Sequence, residues 1–261
     1  MSFVTEFLSK EPIVTAEKLL RYKRANGHCS AFDAPKVIFI CYQQSTLKYF
    51  LNKYPQLTEN ENCSDLFLTN DGQVGILGGW GVGAPALSIK LEQLAALGST
   101  RFIAVGTAGT LLDSHKIGDM VICSSAIAED GVAHLYLGKE DSFARVSPSL
   151  AEEWASFANE KLPSFQKACS WSFSAIFKET PYDVARVYQK GCRVVEMEAA
   201  TLYAIATEKK LEALTLFVIS DCLTLEEWIP HIRETIVREN LHKLADTALA
   251  FCYNLATVSL D

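Results

Sequence analysis

Short apolar, β-branched runs alternate with longer stretches of helical periodicity along most of this chain, and that alternation constrains the fold more than any other feature. Such a pattern packs as a sheet covered by helices rather than as separate α and β domains, so the expected class is α/β. Strands are predicted near 36–41, 65–68, 74–77, 102–106, 120–128, 134–137, 168–173, 194–196 and 213–220. Helices are predicted over 44–53, 85–97, 149–161, 181–189, 199–209 and from about 231 to 255. Pro85 and Pro181 suit a first helical turn, where the missing N–H costs nothing, and Gly98 suits a helix end. No repeat or low-complexity linker divides the chain; residues 1–30 read as a peripheral arm and 31–261 as one domain.

Composition excludes several classes of function. With 49% apolar and 21% charged residues in 261, the chain has ordinary globular material for a substantial core. A net charge of −7 without a dense basic run argues against nucleic acid as a partner. The eight cysteines form no CxxC pair and several lie inside apolar runs, so they read as small buried hydrophobes in a reducing compartment. Residues 1–12 lack the apolar core of a signal peptide, and no run approaches the roughly 18 apolar residues that span a bilayer, so a cytoplasmic protein without a membrane partner is expected. The five histidines adopt no metal-ligand spacing, so no metal site is expected, and no G-x-S-x-G elbow is present.

Four local patterns carry candidate chemistry. In Val194-Val195-Glu196-Met197-Glu198-Ala199-Ala200 two carboxylates flank a methionine where an apolar strand gives way to a helix. Unpartnered charge there costs several kcal/mol, about 2–7 for even a neutral polar group, so a donor or ligand is expected to compensate it. The run from Gly78 to Ala86, with Gly81 and Gly83, follows one strand and opens a helix whose N–H groups suit an anion; a tight structural turn is the alternative. A dinucleotide site also needs an acid at the end of the next strand, but that strand ends in Gly106-Thr107-Ala108-Gly109. Thr107 offers a hydroxyl at this second glycine turn or merely caps it, and Ser220-Asp221 puts a third polar group at a strand end. Asp221 alone fits a helix cap; beside Glu196 and Glu198 it fits a ligand crevice. His134, after Glu129-Asp130-Gly131, is a lone histidine.

In this order and at these separations the motifs resemble the nucleoside phosphorylase family, which includes purine nucleoside phosphorylases, uridine phosphorylases and methylthioadenosine nucleosidases. The segments 129–134 and 172–177 resemble the family's base-side and neighbour-facing stretches. The resemblance implies a single-domain central mixed sheet flanked by helices, no cofactor beyond inorganic phosphate as co-substrate, and a homo-oligomer, dimer or hexamer. It implies cleavage of the N-glycosidic bond of a purine nucleoside by phosphate, giving free base and ribose 1-phosphate. By similarity Glu198 accepts hydrogen bonds from the ribose hydroxyls, Met197 packs on the sugar, and Glu196 and Thr107 frame it. Gly81 and Thr107 meet phosphate, Phe177 and Ser220 meet the base, and Asp221 protonates purine N7.

Two departures from the family pattern bear on the nucleophile. Cys41-Tyr42-Gln43-Gln44 replaces the usual Gly-Asp-Pro-x-Arg after the first strand, and Ala104 stands where an arginine is usual. Arg21, Arg24, Arg101 or a neighbouring subunit's arginine are the candidate phosphate ligands. Hydrolysis by water, uridine phosphorolysis and non-catalytic nucleoside binding remain the alternatives.

Overall fold

A computed structural model describes residues 11–69, 71–138, 142–162 and 165–258. Along the first half run α1 (Ala16–Ala25), β1 (Val37–Cys41), α2 (Gln44–Lys53), β2 (Thr58–Glu59), β3 (Leu66–Leu68), β4 (Val74–Leu77), α3 (Gly83–Ala96), β5 (Arg101–Leu111) and β6 (Met120–Glu129). There follow β7 (Phe143–Arg145), α4 (Pro148–Ala158), β8 (Gln166–Phe173), α5 (Pro181–Gln189), β9 (Cys192–Glu196), α6 (Ala199–Lys209), β10 (Glu212–Leu223), β11 (Trp228–Pro230) and α7 (Thr235–Val258). The result is the expected mixed sheet flanked by helices.

The sheet has two parts joined by the long strands β5 and β10. On one side β5, β1 and β4 run parallel, with β3 and β2 added antiparallel. On the other, β5, β10, β6, β8 and β9 pair in sequence and β9 returns to β5, closing a ring. Strand β5 makes the junction. Its first residues, Arg101 to Val105, pair with β1, whereas Gly109 and Thr110 pair with β9 on the same edge. Between those pairings the edge of β5 is open at Thr107. The end of β1 and the end of β9 both arrive there, the kind of strand divergence at which α/β sheets bind ligands.

Both faces are buried by helices. Leu87, Leu91 and Leu94 of α3 and Tyr203 of α6 pack with Phe217 in one core, and Phe50, Trp154, Leu241 and Phe251 form the other. Helix α6 is buried from Ala199 to Ala206, so its apolar side chains run round all sides rather than along one stripe. A smaller cluster under α5 contains Trp171, Val184, Val187, Val195 and Leu223. Among the described residues no helix is long and apolar enough to cross a membrane.

Several sequence expectations require correction. The stretch 134–137 is not a strand: Asp130 Oδ1 accepts the N–H groups of Val132 and Ala133 at 2.9 and 2.8 Å and starts a 3₁₀ turn over Ala133–Leu135, which leaves His134 exposed. The second glycine turn is not a turn, because β5 continues through Gly106 and Gly109 to Leu111. Those glycines serve close approach. A Cβ on Gly106 would lie 2.9 Å from the Tyr42 side chain, and one on Gly109 would lie 2.9 Å from Asp221 Oδ2. Within the expected N-terminal arm, residues 1–10 lie outside the described residues, while α1 is capped by Thr15 and buries Ala16 and Leu20.

Candidate active site

The two glutamates of the Glu-Met-Glu segment each satisfy a helix N-terminus, where backbone N–H groups lack intrahelical partners. Glu196 Oε2 accepts the N–H groups of Glu198 at 2.8 Å and Ala199 at 2.7 Å, capping α6. Its Oε1 accepts the Ser170 hydroxyl at 2.8 Å and also the Ser172 hydroxyl. Burial pushes the Glu196 carboxyl up, and these four donors oppose it. Glu198 crosses to the other helix. Its Oε1 accepts the Gly83 N–H at 2.7 Å, at the start of α3, while Oε2 holds only a longer contact to the Met197 N–H at 3.3 Å. Burial, then the charge of Glu196, pushes the Glu198 carboxyl up to about 8. The compensating donors that the sequence demanded for this misplaced charge are therefore backbone and serine groups.

A cavity of about 570 Å³ opens where β1, β5, β9 and β10 come together. It gathers Thr107, Glu196, Met197, Glu198, Ser220, Asp221 and Phe177 from four separate parts of the sequence. Gly81 is the one expected site residue not on its lining; its neighbour Val82 is there instead. Gly83, at φ +81°, gives its N–H to Glu198, so the acceptor facing this helix end is a carboxyl of the protein itself. The Thr107 hydroxyl accepts a hydrogen bond from Gln43 Nε2.

Asp221 is oriented from both sides. The Ser220 hydroxyl donates to Oδ1 at 2.6 Å and the Trp228 indole N–H donates to Oδ2 at 2.8 Å. Phe177, 96% exposed, stands on the lining with its ring free for a planar ligand. Sequence reasoning missed Glu179 and Trp228. Glu179 shares the cavity with Asp221, and burial, then the Asp221 charge, pushes its carboxyl up to about 7. Only its place two residues after Phe177 hinted at this.

None of the candidate phosphate arginines in the chain reaches the cavity. Arg101 donates Nε to Glu212 at 2.7 Å, at the starting ends of β5 and β10. Arg21 and Arg24 lie beside Ala96, a helix length of roughly 20 Å from the Gly83 end of α3. Among the described residues that line the cavity there is no arginine, lysine or histidine.

Comparison with known proteins agrees with this architecture. The chain is 30% identical over 175 residues to a purine nucleoside phosphorylase DeoD-type of Exiguobacterium sp., covering 66% of this chain and 73% of the relative. It is 28% identical over 221 residues to a purine nucleoside phosphorylase of Plasmodium vivax, covering 80% and 86%. In structure it resembles a Toxoplasma gondii purine nucleoside phosphorylase in complex with immucillin-H, at a TM-score of 0.75, 18% identity and coverage of 86% and 93%. An AMP nucleosidase from Bacteroides thetaiotaomicron matches at a TM-score of 0.69, 19% identity and coverage of 91% and 97%, showing the same fold. The phosphorylase superfamily model matches residues 45–250, and the chain belongs to that superfamily.

Proposed function

We propose that the protein is a pentosyltransferase that cleaves the N-glycosidic bond of a purine nucleoside with inorganic phosphate, releasing free base and ribose 1-phosphate. The observation that carries this reading is the meeting of Glu198 and Asp221, from distant parts of the sequence, at one cavity beside Thr107. Breaking the bond leaves positive charge on the sugar and an electron pair on the base. The ribose hydroxyls donate to Glu198 Oε2, which favours its ionised form over the protonated one, and those contacts tighten as the sugar becomes cationic. Met197 packs on the sugar and Phe177 stacks on the base. Asp221 delivers the proton to the leaving purine, with Ser220 orienting it and Glu179 holding a proton near neutral pH. Glu196 positions Glu198 and α6. The names of the relatives support both the purine and the phosphate.

A second reading, hydrolysis, is favoured by the absence of a cationic side chain among the described lining residues, since a phosphate dianion needs charge-assisted donors. Gln43 Oε1, buried and without a hydrogen-bond partner among the described residues, suits a water held beside Thr107. Phosphorolysis instead requires a homo-oligomer in which a neighbouring subunit covers the exposed Ile176, Leu225 and Trp228 and lends a cation. The deciding experiment follows inosine and uridine with and without phosphate. Phosphate-dependent formation of hypoxanthine and ribose 1-phosphate is expected. Phosphate-independent release of ribose establishes hydrolysis, a preference for uridine removes the purine assignment, and calorimetric nucleoside binding without turnover leaves a binding protein.

A further inference from the structure

Cys169 and Cys192 occupy paired positions on the parallel strands β8 and β9, and their Sγ atoms lie 3.3 Å apart. Adjacent strands lie about 4.8 Å apart, which falls within the 4.4–6.8 Å between Cα atoms that a disulfide bridges. The two thiols are unlike. Cys192 is fully buried, its one S–H placed between the Ser170 carbonyl oxygen at 3.1 Å and Cys169 Sγ at 3.3 Å, whereas Cys169 is half-buried and reachable by a small oxidant. Donation of that S–H to the Cys169 sulfur draws the Cys169 thiol below its ordinary value against the effect of burial, helped by Ser125 and by the charges of Arg145 and Arg193. A thiolate in electropositive, partly exposed surroundings beside a second thiol has the arrangement of an attacking and a resolving cysteine.

We propose that Cys169 and Cys192 are a reversible dithiol–disulfide site oxidised by a hydroperoxide. The Cys169 thiolate attacks the peroxide oxygen, breaking the O–O bond to give a sulfenic acid and hydroxide. Cys192 then attacks the Cys169 sulfur, its proton leaving with the sulfenic hydroxyl as water. Two thiols lose two electrons, the peroxide gains them, and one S–S bond forms. A dithiol reductant reverses the step by exchange. The new bond joins β8 to the strand that leads into Glu196.

The test treats the folded full-length protein with hydrogen peroxide, unfolds it in urea containing iodoacetamide so that every remaining thiol is alkylated, and maps its peptides by mass spectrometry. The expected product is a Cys169–Cys192 linked peptide, about 2 Da lighter than the sum of its reduced halves and reopened by dithiothreitol. Replacement C169S should abolish the linkage and leave Cys192 alkylated. Linkage through Cys123 or Cys29 instead, sulfinic acid at Cys169 with Cys192 still alkylated, or unaltered alkylation of both thiols overturns the proposal.

Discussion

Glu198 accepts the Gly83 N–H at 2.7 Å, so a carboxylate from the end of β9 caps the helix that begins after the first glycine run. Gly83 has φ +81°, a backbone conformation that costs other L residues about 1–2 kcal/mol, while a Cβ there would sit an unstrained 3.9 Å from Met197 Cε. Gly83→Ala should therefore destabilise the fold by about 1–2 kcal/mol through the backbone and raise the KM for nucleoside by misplacing Glu198. Urea denaturation and steady-state kinetics check the two effects separately. Unchanged values in both would detach Glu198 from this helix end.

The same carboxyl predicts a pH dependence of stability. Its value is raised from 4.5 to about 8 in the folded state, so between these limits the folded protein holds a proton that the unfolded chain has released. Stability from this group is complete below about 4.5 and is lost as the pH rises through about 8. Melting temperatures from pH 5 to 9 should fall on the alkaline side. Glu198→Gln, which keeps an acceptor for Gly83, should flatten that fall.

Trp228 and Ser220 each donate to one oxygen of Asp221. Asp221→Asn should lower turnover on purine nucleosides by roughly 10²- to 10⁴-fold if this carboxyl delivers the proton. Trp228→Phe removes one of the two donors that orient this carboxyl. Losing the indole N–H frees Oδ2 and should lower kcat more than it raises the KM for nucleoside, because the group left unheld is the proposed acid rather than a sugar contact. An unchanged kcat would remove Trp228 from the orientation of the acid and make Glu179 the next group to test.

Gly109 brings β5 against Asp221. A methyl group there would meet Asp221 Oδ2 at 2.9 Å and Val195 Cγ1 at 3.1 Å. Gly109→Ala should cost about 1–3 kcal/mol by overpacking and lower kcat more than it raises KM, because the displaced group is the proposed acid rather than a sugar contact. Equal losses of both would point to a general collapse of the cavity.

Most of the strands and helices were legible because each carries its own apolar period: β1, β4, α2, α5 and α6 fall close to where the sequence put them. The run 134–137 has strand-forming residues, but Asp130 caps a 3₁₀ turn there, a side-chain bond no periodicity reveals. Gly106 and Gly109 looked like a turn because glycine usually marks one; their reason lies in Tyr42 and Asp221, remote in sequence. The Glu-Met-Glu segment announced a polar site but not its donors, since Gly83, Ser170 and Ser172 come from other elements. Glu179 and Trp228 carry no motif, and only the closure of the cavity sets them beside Asp221.

Ser172 separates the scaffolding role of Glu196 from a direct role at the sugar. Its hydroxyl donates to Glu196 and accepts the Ala200 N–H at 2.9 Å, so Ser172→Ala removes a donor from a buried carboxylate and orphans a helix N–H. The expected loss is about 1–3 kcal/mol of stability, the range for an unsatisfied buried polar group. If Glu196 acts only by holding α6 and Glu198, the KM for nucleoside at a temperature well below unfolding should change little. A KM raised tenfold or more, about 1.4 kcal/mol, without a loss of stability would place Glu196 in contact with the sugar.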